Sequence, residues 1–183
     1  MTEKKYQVFI SLTYEDLREE RKSAVEAILI TKNIPVGMES FTASSQEQFE
    51  YIKNCIRNCD YYILIIGGRY GTLHPELNLS YTELEFDYAK SSNKPMHIFM
   101  YADVNKCRKK DKNLDNISRF RDKVQKENVC QPFKSKAELK GLILTALTQE
   151  IINNPQVGWM KGNEISSTYK TQKRLYIRFN LNW

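Results

Sequence analysis

The chain is poor in the residues that mark several common protein classes. It has 4 cysteines in 183 residues, with no C-x-x-C pair among them, and only 2 histidines. A disulfide scaffold and a zinc site are therefore not expected, and Cys55 and Cys59, on one face of a helix, are predicted to be core residues. No arrangement typical of a Ser-His-Asp or Cys-His catalytic site is found either.

Long hydrophobic runs are also missing. No stretch approaches the roughly 20 apolar residues that a membrane helix needs. The amino terminus, MTEKKYQV, lacks the apolar segment of a signal peptide. We therefore expect a cytoplasmic protein that has no membrane partner.

The positive charge is concentrated rather than spread along the chain. The net charge is +6, and five basic residues lie close together: Lys106, Arg108, Lys109, Lys110 and Lys112. This segment contains no aromatic side chain on which a base would stack, and acidic and amide residues interrupt it. We interpret it as a solvated loop and do not expect a nucleic acid partner.

Short apolar runs alternate with amphipathic segments. Buried strands are predicted at residues 6–11, 61–66 and 95–101, and a fifth strand at 129–133. Residues 34–39 are predicted to form a strand that is short or at an edge, because Pro35 lies near its start. Helices are predicted at residues 13–32, 82–92, 114–127 and 135–152, and a further helix follows a cap at Ser44 or Ser45. Ser135 and Glu138 are predicted to form a capping box at the start of the last helix. This order predicts an α/β three-layer sandwich with a central parallel sheet of four to five strands.

Two local predictions concern the first helix. Thr13 or Tyr14 is predicted near its cap, with acidic residues in the first turn. Its outer, solvated face is predicted to carry Arg18, Glu19, Glu20, Arg21 and Lys22.

We expect one α/β domain over residues 1–155 and a C-terminal extension over residues 156–183. Leu175, Ile177, Phe179 and Leu181 alternate with polar residues in the extension. This period of two predicts a strand that pairs with the core or with another subunit.

A candidate site follows the third strand, because ligands of parallel α/β sheets bind beyond the carboxyl ends of the strands. Glu83 and Glu85 open the next helix, Tyr81 shares a face with Glu85, and Arg69 and Tyr70 precede them. A carboxylate beside an aromatic wall can hold ribose hydroxyls and stabilise an oxocarbenium-like transition state. The alternative is that these carboxylates only complement the helix dipole.

The loop Gly67-Gly-Arg-Tyr-Gly71 is neither a G-x-G-x-x-G fingerprint nor a Walker A loop. Arg69 can therefore be interpreted in two ways. It pairs with a phosphate of a ligand, or with a structural carboxylate such as Glu39.

Four segments, at residues 6–21, 34–39, 67–71 and 80–85, resemble the bacterial family called domain of unknown function 4062. The resemblance covers roughly residues 5 to 165. That family is similar to TIR domains and nucleoside 2-deoxyribosyltransferases, which share a flavodoxin-like sheet. Glu85, Ala89 and Asn93-Lys94-Pro95 match the helix that carries the glutamate of those groups, and Tyr81 stands where many TIR enzymes have Trp.

The resemblance implies that Glu85 is catalytic and acts on the nicotinamide-bearing ribose of NAD. NAD would then be the substrate, and no cofactor is expected. The predicted substrate contacts are Ser11, Thr13, Phe41, Ser44, Arg69, Tyr70, Tyr81 and Glu83, of which Phe41 and Ser44 would belong to a loop over the site.

The leading hypothesis is an NAD-processing enzyme of bacterial anti-phage defence that releases ADP-ribose or a cyclic derivative. One alternative is a non-catalytic module that senses a nucleotide or binds a protein. Another is a nucleoside deoxyribosyltransferase that uses Glu85 as its nucleophile. The expected partners are a second copy of the chain and a separately encoded defence effector.

Overall fold

A computed structural model describes residues 4–37, 45–107 and 109–160. The strands in these residues are β1 Gln7–Leu12, β2 Ile34–Val36, β3 Tyr61–Ile66, β4 Met96–Tyr101 and β5 Cys130–Phe133. The helices are α1 Arg18–Ile30, α2 Ser45–Asn58, α3 Tyr81–Ser91, α4 Asp115–Glu127 and α5 Lys136–Asn153, with a short 3-10 turn at Val104–Lys106. The predicted alternation of strands and helices is confirmed.

The five strands form one parallel sheet in the order β2-β1-β3-β4-β5. This is the strand order of flavodoxin-like folds, as predicted. The chain passes from β1 to β2 on one side and then returns to place β3 on the other. The order reverses there, so a crevice opens between the carboxyl ends of β1 and β3.

Helices cover both faces of the sheet, which confirms the three-layer sandwich. On one face α1 and α5 pack against β1 and β3 through side chains that include Ala24, Ile28, Ile143 and Leu147. On the other face α2, α3 and α4 contribute residues that include Ile56, Cys59, Phe86 and Phe120. Every residue of β3 is buried, as expected of a central strand. Cys59 is a core residue, as predicted, and Cys55 is partly buried against the same cluster.

The predicted start of the first helix is wrong. Helix α1 begins at Arg18, and its N-cap residue Leu17 makes no side-chain capping bond. The Thr13 hydroxyl instead donates to Asp16. The Asp16 carboxylate accepts backbone N–H groups of the loop after β3, from Gly68 at 3.1 Å and Arg69 at 3.2 Å. Asp16 therefore binds a neighbouring loop and does not sit in the first turn of α1.

The prediction that Arg21 faces solvent is also wrong. Its side chain is 7% exposed. The guanidinium extends from α1 to the end of β2, where it occupies the space that a Cβ at Gly37 would need. The length of the arginine side chain explains the difference, because the charged end reaches past the helix surface.

Serine caps begin two other helices. Ser80 Oγ accepts from the N–H of Glu83 at 3.1 Å and opens α3. Ser135 Oγ accepts from the N–H of Glu138 at 3.2 Å and opens α5, which is the serine half of the predicted capping box. The Glu138 carboxylate accepts the N–H of Lys134 at 2.7 Å, where a capping box would have that of Ser135.

The first residues of the predicted extension contact the core. Lys5 and Trp159 form an antiparallel bridge beside the start of β1. The alternating residues Leu175 to Leu181 lie outside the described residues. Within the part of the chain that the structure covers, no helix combines the length and the apolar character needed to cross a membrane.

Candidate active site

The site centres on Glu85, which is carried by the second turn of α3. The loop after β3 ends at the Ser80 cap, so α3 starts beyond the carboxyl edge of the sheet. Glu85 faces inward, is 7% exposed and lines a cavity of about 270 Å³. A carboxylate therefore lies where the fold places ligands.

Glu85 is held by a hydrogen bond from β1. The hydroxyl of Ser11 donates to Oε2 of Glu85 at 2.5 Å, and Ser11 is itself buried. No basic side chain among the described residues forms a salt bridge with Glu85. Within that part of the chain, Glu85 is therefore a buried carboxylate with a hydrogen-bond donor but no ion-pair partner.

Burial raises the pKa of Glu85 to about 7, because desolvation penalises the carboxylate. The hydrogen bond from Ser11 and the positive charge of Arg21 lower this pKa and offset part of the effect. Glu85 is therefore poised to gain or lose a proton near neutral pH, a property that clusters at functional sites.

The cavity walls come from three loops and helix starts. Thr13 and Tyr14 follow β1, Arg69 follows β3, and Tyr81 begins α3. The Tyr81 ring lies 5.6 Å from His74 and 6.4 Å from Phe49 between centroids, so neighbouring aromatic rings support it. Tyr14 is 54% exposed, and the Arg18 guanidinium lies over its ring at 4.8 Å from the centroid.

Arg69 belongs to the wall and is paired with carboxylates of the protein. It forms an ion pair with Glu15 and a longer one with Asp111 at 3.4 Å. The structural pairing left open by the sequence is therefore made, with different partners from the one suggested. Glu39 lies outside the described residues.

Glu83 lies in a separate ion cluster and does not line the cavity. Its carboxylate is 1% exposed and accepts from the Tyr70 hydroxyl at 2.5 Å. Arg119 at 2.9 Å and Lys123 at 3.0 Å, both from α4, complete the cluster. Although burial raises the pKa of Glu83, the hydrogen bonds from Tyr70, Lys123 and Arg119 together hold it below its ordinary value. Glu83 and Tyr70 thus join α3 to α4.

The structure brings Ser11, Thr13, Arg69 and Tyr81 together around Glu85. Phe41 and Ser44 lie outside the described residues. Sequence reasoning missed Tyr14 as a wall residue and Arg21 as a charge that acts on Glu85. The position of Tyr14, three residues past Ser11, is a signal that could have identified it, whereas nothing in the sequence marks Arg21.

A larger cavity of about 490 Å³ lies on the α1 and α5 side of the same edge. Its lining includes Asp16 and Glu19, but Asp16 accepts backbone N–H groups and Glu19 pairs with Lys22 and Lys136. We place the candidate site in the smaller cavity because it contains the buried carboxylate that titrates near neutral pH. Among the described residues, no three His, Cys, Asp or Glu side chains are grouped to hold a metal ion.

Comparisons with known proteins agree with the resemblance. The family model described as Domain of unknown function (DUF4062) matches residues 7–148. No curated protein matches the chain.

Two solved structures are similar to this chain. The CMP N-glycosidase BcmB of Clostridium botulinum is 14% identical with a TM-score of 0.49, and the match covers 76% of this chain and 98% of that chain. The TIR domains of the activated Roq1 resistosome, which recognizes the pathogen effector XopQ, are 12% identical with a TM-score of 0.41, over 81% of this chain and 74% of that chain. Neither likeness is close enough to transfer a function to this chain.

Proposed function

This chain belongs to the family described as Domain of unknown function (DUF4062), and we propose that it cleaves the N-glycosidic bond between nicotinamide and ribose in NAD. The observation that carries the proposal is the buried Glu85, which titrates near neutral pH and opens into a cavity of about 270 Å³. Cleavage of a glycosidic bond develops positive charge on the sugar ring. An ionised carboxylate in a water-poor site stabilises that charge far more than it would in bulk water.

The carboxylate count favours a particular leaving group. Of the described residues that line the cavity, two are acidic, Glu85 and Glu15. Glu15 is exposed and paired with Arg69, and Glu83 is held in its own ion cluster. Most glycosidases use a second carboxylic acid to protonate the leaving group. A site with one buried carboxylate therefore suits a leaving group that needs no proton.

Nicotinamide in NAD meets this requirement because it is bound to ribose as a pyridinium cation. When the C–N bond breaks, its electron pair returns to the ring nitrogen and nicotinamide leaves as a neutral molecule. The positive charge passes to the ribose, where Glu85 faces it. Water then adds to the ribose carbon and loses a proton, which gives ADP-ribose, or the adenine ring of the same molecule adds instead and gives a cyclic product.

The remaining wall residues fit a nucleotide of this kind. Tyr14 and Tyr81 line the cavity and offer aromatic surface for the pyridine ring, and Thr13 belongs to the same wall. The proposal extends to the roles implied by the family resemblance: nucleotide signalling in bacterial anti-phage defence, assembly of several copies, and a separately encoded effector.

The test is to incubate the purified chain with NAD and to measure free nicotinamide by liquid chromatography. Release is expected from the unsubstituted protein. Glu85→Gln is expected to reduce the rate of release on the order of 100-fold or more, because the substitution removes the negative charge but keeps the shape of the side chain. Glu83→Gln is expected to retain release at a temperature where it remains folded. Full release by Glu85→Gln would refute the assigned role.

Two other outcomes point to other functions. Calorimetry that shows NAD binding without nicotinamide release would favour a nucleotide sensor. A mass increase that corresponds to a sugar bound covalently to Glu85 would favour deoxyribosyl transfer with a nucleoside substrate.

A further inference from the structure

A fully buried tyrosine hydroxyl lies near Glu85. Tyr62 lies on β3, is 0% exposed, and its hydroxyl oxygen has no hydrogen-bond partner within the described residues. Buried hydroxyl groups in proteins are nearly always paired, and each exception calls for an explanation. Phenylalanine would fill the same space without burying an unpaired group.

Strand register places this hydroxyl on the Glu85 side of the sheet. Tyr62 is opposite Phe9 in the register of β1 and β3, and the two rings stack with centroids 5.8 Å apart. Ser11 follows Phe9 by two residues, so its side chain leaves the same face of β1. Phe9, Tyr62 and Phe86 of α3 share one core cluster, which lies on the side that Glu85 faces.

The two groups also affect each other electrostatically. Burial is the main cause that raises the pKa of Tyr62 well above its ordinary value, and the charge of Glu85 adds to it. Ser11 lowers the same pKa as a hydrogen-bonding neighbour, although no contact of the Tyr62 hydroxyl meets the distance and angle of a full hydrogen bond among the described residues. Ser11 donates its own proton to Glu85, so its oxygen is open to accept one.

We propose that Tyr62 is a positioning residue, whose hydroxyl donates to Ser11 Oγ when Glu85 is ionised, so that two hydroxyls act in series on the carboxylate. A chain of this kind polarises each bond and strengthens the last one, from Ser11 to Glu85. Tyr62 does not touch the substrate in this role. It keeps the ionised carboxylate available for a cationic sugar.

The inference rests on the site of the proposed function, but its test does not need turnover. NMR of the Glu85 side-chain carboxyl carbon gives the midpoint of its titration, with Glu85→Gln used to assign the signal. In Tyr62→Phe the midpoint is expected to rise by about one pH unit, a tenfold change in proton affinity. An unchanged midpoint would overturn the proposal.

Tyr61→Phe is the matched control. Tyr61 is the preceding residue, is equally buried, and points to the opposite face, where its hydroxyl donates to the Asn154 carbonyl at 3.0 Å. The same hydroxyl accepts from the N–H of Gln156 at 3.3 Å, so this variant loses two hydrogen bonds but is expected to leave the Glu85 midpoint unchanged. A rise of equal size in both variants would show a general packing effect and reject the specific role.

The Ser11→Ala variant tests the order of the two hydrogen bonds in the series. In Ser11→Ala the Glu85 midpoint is expected to rise, and adding Tyr62→Phe is expected to change it no further. A full additional rise would mean that Tyr62 acts directly on Glu85 and would reject the series arrangement. In the unsubstituted protein, the Tyr62 ring carbon that bears the hydroxyl is expected to titrate with Glu85, and the absence of that response would also count against the proposal.

If the chain also releases nicotinamide, Tyr62→Phe is expected to lower kcat/KM at pH 7 about fivefold, because the ionised fraction of Glu85 falls from about one half to about one tenth, and to recover at higher pH. Failure of NAD cleavage alongside the expected NMR shifts would reject the proposed substrate and keep the role of Tyr62. Cleavage of NAD without those shifts would support the proposed substrate and reject the role of Tyr62.

Discussion

Ser11 and Glu85 are 74 residues apart in the chain, yet the hydroxyl of one donates to the carboxylate of the other at 2.5 Å. The contact joins the carboxyl end of β1 to the start of α3 across the point where the strand order reverses. It holds a buried carboxylate at the floor of a cavity, and the chemistry proposed for the chain depends on the charge of that carboxylate.

The first prediction concerns the pH dependence of NAD cleavage. Because the pKa of Glu85 is raised to about 7 by burial, the free enzyme holds the ionised form only above that value. We expect kcat/KM to rise as pH increases through about 7 and then to level off, since kcat/KM reports groups of the free enzyme. Initial rates at low NAD concentration measure this profile, and a profile that falls over the same range would contradict an ionised Glu85.

Glu85→Gln is expected to stabilise the protein at alkaline pH. The folded chain keeps the Glu85 proton up to about pH 7, whereas the unfolded chain releases it near the ordinary value, so stability decreases between these values as pH rises. Above this range the substitution is expected to increase the free energy of unfolding by about 3 kcal/mol, and near pH 4 it is expected to change it little. Urea unfolding at both pH values measures it. Glu76→Gln, on an exposed loop, serves as control and is expected to show no such difference.

Glu83→Gln is expected to have the opposite effect on stability. The pKa of Glu83 is lowered by its partners, so its contribution is present above the unfolded value and is lost as pH falls through the folded value. We expect a loss of about 2 kcal/mol in the free energy of unfolding near neutral pH, and this loss disappears as pH falls through the folded pKa of Glu83. Asp87→Asn, which removes only a partly exposed partner of Lys123, is expected to cost less than about 1 kcal/mol. Equal losses in both variants would contradict the conclusion that Glu83 contributes more to stability than Asp87.

Gly71→Ala is expected to disturb the cavity wall. Gly71 has φ +94°, and a Cβ there would lie 2.8 Å from Cγ2 of Thr13. We expect a loss of about 1–3 kcal/mol in the free energy of unfolding and a weaker affinity for NAD, because the strained backbone is part of the cavity wall. Denaturant unfolding and NAD titration measure the two effects. Gly141→Ala, in α5 with open space around it, is expected to be neutral or stabilising.

The layers of the fold were predictable from the sequence because they follow from local periodicity. Buried runs such as Tyr61–Ile66 and the amphipathic segments between them indicate strands and helices without reference to the rest of the chain. The start of α1 was not predictable in this way. It depends on Asp16, whose carboxylate binds backbone groups 52 and 53 residues further along the chain.

The choice between Glu83 and Glu85 needed the structure as well. Both lie in the first two turns of α3, but residues two apart on a helix point about 200° apart. One carboxylate meets Arg119 and Lys123 of α4, and the other meets Ser11 of β1. The sequence places the two acids next to each other and contains no local signal that separates their partners.

The burial of Glu85 has a thermodynamic consequence for ligand capture. A cationic ligand that enters the cavity favours the ionised carboxylate, so near neutral pH part of the population must release a proton to the buffer as it binds. The observed heat of association would then vary with the ionisation enthalpy of the buffer, and the apparent affinity would increase with pH. A single buried side chain thus couples the binding of a cationic ligand to the release of a proton.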